Sequence, residues 1–205
     1  MTGSVRLLPS GERAVLVEVA DAAAAQRLAG RLRVVADPRI EDVVNGARTV
    51  LVVTHSRDDL AGIAPLVRAQ STSPPRSAPA TEVEIAVTYD GEDLQDVACT
   101  TGLTSTEVIT RHSQAAYTVE FIGFAPGFAY LTGLDPVLHL PRLNTPRTSV
   151  PAGSVAIAGG YSAVYPRSSP GGWRLLGRTT ATLFDVDADP PALLAAGTRV
   201  RFVPQ

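Results

Sequence analysis

The sequence contains no lysine, because all eighteen of its basic residues are arginine. A Schiff-base lysine, the lysine of a phosphate-binding P-loop and a biotinylated lysine each need a primary amine, so none of them can operate within this chain. An anion bound here must therefore be held by arginine, by hydroxyl groups or by backbone N–H groups.

Cysteine and long apolar runs are also scarce. Cys99 is the only cysteine, which excludes an intrachain disulfide framework and a cluster of thiolate metal ligands, and favours a reducing compartment. The first residues lack the apolar segment of a signal peptide, and no stretch reaches the roughly eighteen apolar residues of a membrane span. We therefore expect a soluble, untargeted protein of the cytoplasm.

Neither sign of charge dominates the chain, whose net charge is -2. Nucleic acid requires a strong basic excess and an anionic membrane requires a polybasic patch, so neither is an expected partner. With 45% hydrophobic and 19% charged residues over a length of 205, the chain can build one large core or two small ones. A small molecule or another protein is the expected partner.

Residues 1–70 read as a small α+β domain. Short apolar runs at 5–8, 14–19, 40–44 and 49–54 predict strands, with turns at Pro9–Gly11 and at Asn45–Gly46. Two stretches rich in helix-forming residues predict helices at 21–33 and 57–69, the first capped by Asp21. Residues 71–80 are rich in Pro, Ser and Ala, which predicts a linker.

Residues 81–205 predict a second, β-rich domain. Strands are expected at 82–89 and 117–122, and helices at 93–99 and 104–112, the latter opened by a Thr104–Glu107 capping box. Further short apolar runs are separated by Gly and Pro turns, a pattern typical of a closed or nearly closed β-barrel. These runs lie at 155–158, 162–165, 174–176, 182–184 and 198–203.

The stretch between Pro136 and Phe184 contains five arginines and no Asp or Glu, so its field should attract an anion. Arg147 and Arg178 are the preferred anion-binding residues because each precedes a threonine, Thr148 or Thr179, whose hydroxyl can add a donor beside the guanidinium. Replacement of either arginine by Ala is expected to abolish activity and leave the fold intact. The alternative is that these arginines face solvent or pair with carboxylates such as those at 185, 187 and 189.

Four other side chains are candidates for the site. His112 is the candidate acid–base group, with a helix C-terminal cap as the alternative. Ser169 precedes Pro170–Gly172, a loop that can present N–H groups to an anion, whereas a nucleophilic serine lacks its G-x-S-x-G motif. Tyr165 and Trp173 can line a pocket or belong to the core. No histidine has a neighbour at metal-ligand spacing, so no metal site is expected.

Three long segments carry a family resemblance. GFAPGFAYLTGL from Gly123, PRLNTPRTSVPAGSVAIAG from Pro141 and YPRSSPGGWRLLGRT from Tyr165 resemble the signature blocks of the KipI family, the B-type subunits of 5-oxoprolinase. This family is also described as allophanate hydrolase subunit 1 or as carboxyltransferase subdomain C/D. The resemblance covers the whole second domain and implies a cyclophilin-like β-barrel behind a small α+β domain.

The resemblance also implies a function. Family members act with a KipA-like C-type subunit and a LamB/YcsF-like A-type subunit in an ATP-dependent 5-oxoprolinase that opens 5-oxoproline to glutamate, and this chain is expected to be inactive without its partner. Which of the three proteins binds ATP stays open. Two alternatives come with the same resemblance: a carboxyltransferase-type subunit of a urea carboxylase or allophanate hydrolase system, and a KipI-type inhibitor of a sensor histidine kinase. Fold alone does not choose among them.

Overall fold

Separate hydrophobic cores divide the chain into two compact units, Met1–Pro79 and Ala80–Gln205. The computed structural model describes residues 5–72 and 81–205. Of the predicted linker, Ser71 and Thr72 complete a helix, and the rest lies outside the described residues. None of the helices in the two described ranges has the length and apolar character that a membrane crossing requires.

The first unit is an antiparallel sheet with two helices packed against it. Its sheet has the order β1-β2-β4-β3, and alternate residues of β4 point into the core. The buried stripe of α1 recurs every three or four residues, as an amphipathic helix requires. The elements are β1 (Arg6–Ser10), β2 (Ala14–Glu18), α1 (Ala22–Val35), β3 (Ile40–Asn45), β4 (Thr49–Thr54) and α2 (Leu60–Thr72).

The predicted turn at Pro9–Gly11 begins two residues too early. Pro9 and Ser10 belong to β1 and pair with Val15 and Ala14 of β2. The chain reverses only at Gly11, whose φ of 63° is a left-handed conformation that glycine adopts without steric cost. The prediction of Asp21 as the N-cap of α1 is confirmed, because its carboxylate accepts a 2.7 Å hydrogen bond from the Ala24 N–H.

The second unit is built around a seven-stranded sheet of order β12-β9-β10-β7-β6-β13-β5, with a separate ribbon of β11 and β8. All pairs are antiparallel except β13 with β5. Its elements are β5 (Glu82–Val87), α3 (Leu94–Thr101), α4 (Ser105–Gln114), β6 (Tyr117–Ile122), β7 (Ala129–Thr132), a 3-10 helix (Pro136–Leu138), β8 (Arg147–Val150), β9 (Ser154–Ala158), β10 (Tyr161–Val164), β11 (Ser169–Gly171), β12 (Arg174–Arg178) and β13 (Arg199–Pro204).

The sheet curls until its two outer strands meet. Thr88, which follows β5, exchanges both backbone hydrogen bonds with Arg178 of β12, each at 2.9 Å. This contact nearly closes a barrel around a mainly aliphatic interior, and α4 covers the interior with Val108 and His112. The predicted fold class, a small α+β unit followed by a β-barrel, is confirmed.

Two local predictions in this unit have opposite outcomes. The capping box is present: the Thr104 hydroxyl accepts from the Glu107 N–H at 3.2 Å, and the Glu107 carboxylate accepts from the Thr104 N–H at 2.8 Å. The predicted strand at 182–184 is wrong, because this segment forms only an isolated bridge from Phe184 to Ala192. Three short strands, β7, β8 and β11, were not predicted; their segments lack the alternating apolar pattern of a longer strand.

Candidate functional site

All five residues of β9 are buried, although a strand at the surface of a barrel normally buries only one face. Val155 and Ile157 point into the barrel core, whereas Ala156 and Ala158 belong to a second cluster on the outer face. Alanine on the outer face leaves space for large side chains carried by loops. The outer face of the sheet is therefore covered by a layer of its own.

Aromatic rings form that outer layer. The chain has five Phe, five Tyr and one Trp, and seven of these rings contact one another in what we term the aromatic cluster. Phe128 lies at its centre, with ring centroids 5.1 Å from Tyr130, 5.3 Å from Tyr165 and 5.6 Å from Trp173, all edge to face. The other members are Phe121, Phe124 and Tyr161.

The aromatic cluster brings the three sequence segments together. Phe124 and Phe128 come from the first, and Tyr165 and Trp173 from the third. The second contributes the buried alanines of β9 and Arg142, whose guanidinium carbon lies 6.0 Å above the centre of the Trp173 ring. Segments separated in sequence thus build one loop-covered surface, the usual location of a functional site on a rigid scaffold.

Phe124 is presented to solvent by a strained turn. Its φ is 68°, unfavourable for a bulky residue, and the Ala125 N–H donates to the Gly123 carbonyl at 2.8 Å across it. The residue is 61% exposed. Strain of this kind costs about 1–3 kcal/mol and persists mainly where function needs it. Phe124 was not predicted from the sequence as a site residue, although its position among Gly123, Pro126 and Gly127 is a signal of unusual backbone.

The arginines of the acid-free stretch meet carboxylates from an acidic segment, residues 90–96, between β5 and the first turn of α3. Arg147 donates to Asp93 at 2.7 Å and to Glu92 at 3.3 Å. Two further ion pairs join Arg174 to Asp96 and Arg178 to Asp90. The partners are not the carboxylates at 185, 187 and 189 that the sequence suggested. Much of the expected positive field is therefore offset.

Arg147 forms a partly buried ion pair that links two parts of the fold. Its side chain is only 23% exposed and that of Asp93 only 11%. The second oxygen of Asp93 accepts from the Leu175 N–H of β12 at 2.7 Å, so the carboxylate is fixed by backbone. The hydrogen bond to Asp93 raises the pKa of Arg147 against the opposing effect of burial, and the guanidinium stays charged. Arg147 thus ties β8 to the acidic segment.

Arg178 and Thr179 lie where the barrel closes. Arg178 pairs with Asp90 at 2.8 Å, but its side chain is 71% exposed. The Thr179 N–H donates to the Gly153 carbonyl at 2.8 Å. No hydrogen bond or ion pair joins this pair of residues to Arg147 or to the exposed Thr148 in the part of the chain that the structure describes.

Tyr165 and Ser169 belong to the region of the β8–β11 ribbon that also carries Arg147. Tyr165 is buried beneath the β8–β11 ribbon, and a side chain at Gly171 would collide with its hydroxyl; burial raises the pKa of Tyr165. Ser169 pairs with Val150 on the ribbon. Its hydroxyl oxygen is buried and has no hydrogen-bond partner within the described residues, which costs about 1–3 kcal/mol.

His112 lies on the opposite, interior side of the sheet. It is fully buried and its ring stacks on Phe202 at 4.7 Å. Nδ1 is 2.7 Å from the Tyr89 hydroxyl and Nε2 is 2.9 Å from the Ser162 hydroxyl. Because Ser162 donates its own proton to the Ala156 carbonyl, Nε2 carries the ring proton and Nδ1 accepts from Tyr89.

Burial lowers the pKa of His112 to about 3, so the ring is neutral near pH 7. Both ring nitrogens are occupied by other core groups. The geometry supports a structural task, in which His112 ties α4 to β10 across the barrel. It does not cap the end of the helix, and it is separated by the sheet from the aromatic cluster.

These features define a class: a small α/β unit followed by a nearly closed barrel whose loops build an aromatic surface bordered by arginines. The sequence matches the family described as "Carboxyltransferase domain, subdomain C and D" over residues 5–194, and the chain belongs to this family. The family resemblance stated from the three segments is thereby confirmed.

Individual relatives agree with this assignment. The chain is 41% identical to the B-type 5-oxoprolinase subunit of Escherichia coli O157:H7 over 204 residues, which cover 95% of this chain and 94% of the relative. The solved structure of TTHA0988 superposes with a TM-score of 0.83 at 34% identity over 94% of this chain and 40% of that one. The Kluyveromyces lactis urea carboxylase, with a TM-score of 0.76 at 20% identity over 98% of this chain and 22% of that one, shares the fold.

Proposed function

We propose that this chain is the B-type subunit of an ATP-dependent 5-oxoprolinase, which converts 5-oxoproline to glutamate with a KipA-like C-type subunit and a LamB/YcsF-like A-type subunit. The observation that carries the proposal is the similarity to a B-type 5-oxoprolinase subunit over nearly the full length of both chains. The single free cysteine, Cys99, suits the reducing cytoplasm, which we propose as the compartment.

The active site in this proposal lies on the loop surface over the aromatic cluster and is completed by the partner subunit. Two observations support this placement. The three family segments meet there, and that surface holds an exposed aromatic ring on a strained turn together with a buried, unpartnered serine hydroxyl. Ser169, Tyr165 and Arg147 belong to this surface, whereas Arg178, with Thr179, contributes from the barrel closure.

A partner is proposed because this chain offers few groups for proton transfer on that surface. His112 is buried on the other side of the sheet and holds its proton within the core. The similarity to TTHA0988 adds support, since this chain covers only 40% of that protein and the remainder is large enough for a second polypeptide of similar size. Neither ATP binding nor the reaction is assigned to this chain alone.

The proposal is tested by reconstitution. The purified chain is mixed with the two partner proteins, ATP and 5-oxoproline, and glutamate is measured over time. We expect turnover only when ATP and all three proteins are present, and none from this chain by itself. A full mixture that forms no glutamate, despite partners that associate on a sizing column, contradicts the proposal.

A further inference from the structure

We infer that Arg142 binds the carboxylate of the substrate, with the buried ring of Trp173 beneath Arg142 and the exposed ring of Phe124 as the apolar surface. This inference rests on the proposed function and names the substrate contact of the same site. The five arginines of the acid-free stretch differ, because only some of them have a carboxylate partner.

Three of the five are already engaged, since Arg147, Arg174 and Arg178 pair with the acidic segment. Arg142 and Arg167 have no ion pair or hydrogen bond within residues 81–205 as described. Of these two, Arg142 is the one whose guanidinium carbon lies above a ring of the aromatic cluster, 6.0 Å from the centre of Trp173. An anion entering this surface therefore finds Arg142 without a competing carboxylate.

A cation–π contact with Trp173 does not use the N–H donors of Arg142, because the ring attracts the charge of the guanidinium and accepts no conventional hydrogen bond. Two parallel N–H groups match the two oxygens of a carboxylate. An arginine held over an aromatic ring has given up part of its side-chain freedom before the ligand arrives, so less of that freedom is lost on binding.

The backbone on both sides of Arg142 is fixed. The Pro141 carbonyl accepts from Nε of Arg174 at 3.2 Å, and the Leu143 N–H donates to the Gly172 carbonyl at 2.7 Å. Arg174 is held in turn by Asp96. The acidic segment therefore does more than offset charge: through Arg174 it positions the loop that carries Arg142.

The surroundings of Arg142 fit a small ring acid. Phe124 is exposed, and its ring centroid lies 6.5 Å from that of Tyr165. The charge of Arg142 acts on Tyr165 and favours a lower pKa of its hydroxyl, which places Arg142 near the same rings. A compact ring with one carboxylate can place its charge on Arg142 and its apolar edge on the neighbouring rings. 5-Oxoproline has this chemistry, a five-membered lactam bearing a single carboxylate.

Trp173 provides a direct probe because it is the only tryptophan in the chain. The full chain is titrated with 5-oxoproline while tryptophan fluorescence is recorded, with ATP and acetate as comparison ligands. We expect a saturable change with 5-oxoproline, and affinity weakened about tenfold or more in Arg142→Gln, the effect of losing a charged, paired contact. Arg167→Gln is the matched control, an exposed arginine of the same stretch without the aromatic contact, and should match the wild type.

Several outcomes overturn the inference: no saturable response of the wild-type chain, equal affinity in the wild type and Arg142→Gln, equal weakening in Arg167→Gln, or a response to ATP alone.

Circular dichroism of both variants should be unchanged, since neither side chain is packed in a core. In the reconstituted complex, Arg142→Gln should raise the KM for 5-oxoproline and leave that for ATP unchanged. If the chain binds 5-oxoproline through Arg142 but the complex forms no glutamate, the inference about Arg142 holds and the proposed function is wrong. If the complex turns over equally well with Arg142→Gln, the proposed function holds and the inference about Arg142 is wrong.

Discussion

The two faces of strands β9 and β10 differ in what covers them. Inward, Val155, Ile157 and Val164 pack in a mainly aliphatic core closed by the strands of the barrel. Outward, small alanines lie under aromatic rings, four of which are carried by loops and three by strands. The inner face is fixed by the sheet itself, whereas the outer face depends on loop conformation, which explains why backbone strain is found there.

The polar groups show the same contrast. Inside, the hydrogen bonds run in one direction from Tyr89 through His112 and Ser162 to the Ala156 carbonyl, and each group is satisfied. Outside, Ser169 has a buried hydroxyl without a partner among the described residues, and Arg142 lies over Trp173 with no carboxylate partner in the same part of the chain. Satisfied groups stabilise the barrel, and the unsatisfied ones mark the surface that can gain from a ligand.

The largest effect is expected inside the barrel. His112→Ala removes the stacking on Phe202 and leaves Tyr89 and Ser162 with unpaired polar atoms, so it should cost about 3–5 kcal/mol in free energy of unfolding, measured with urea. Phe124→Ala, on the outer face, is the comparison and should cost less than about 1 kcal/mol. Equal losses in the two variants would remove the distinction between the faces.

The same histidine predicts a dependence of stability on pH. Its pKa is lowered to about 3 in the folded chain, below the unfolded value of about 6.5, so the unfolded state binds the proton first. The contribution of His112 is therefore complete above about pH 6.5 and is lost progressively towards pH 3. Between pH 6.5 and 5 we expect a loss of about 1.5–2 kcal/mol in urea titrations, and a flatter profile for His112→Phe. An identical slope in that variant would assign the effect to other groups.

The structure changes the expectation for Arg147, which the sequence analysis selected as an anion-binding residue whose replacement leaves the fold intact. Arg147→Ala leaves the shielded Asp93 carboxylate without its cation and should cost about 2 kcal/mol in free energy of unfolding. The double variant Arg147→Ala, Asp93→Asn should recover part of that loss, because the uncompensated charge is gone. Arg178→Ala breaks a solvent-exposed pair and should cost less than about 1 kcal/mol. Similar losses for both arginines would contradict the difference in burial.

The smallest effect concerns the strained turn. Phe124→Gly removes both the ring and the strain, whereas Phe124→Ala removes only the ring, so the glycine variant should be more stable by about 0.5–1 kcal/mol despite the flexibility of glycine in the unfolded chain. Thermal unfolding of the pair measures this difference. A more stable alanine variant would show that the turn is not under strain.

Features with a local cause were predictable from the sequence. The strand Tyr117–Ile122 was predicted with its observed bounds, and the capping box at Thr104 formed as expected, since alternation and capping depend on residues only a few positions apart. The three family segments marked the loops that build the outer surface.

The partners of the arginines were decided only by the tertiary structure. Arg147 and Asp93 lie 54 positions apart in sequence, and they meet because Thr88 and Arg178 close the barrel and carry the acidic segment across β12. The strands β8 and β11 form a two-stranded ribbon outside the main sheet, so their short segments carry no alternating apolar pattern that would predict them. The sequence determined which residue types border the site, whereas barrel closure decided which of their charges stay available, because an ion pair depends on distance in space and not on distance along the chain.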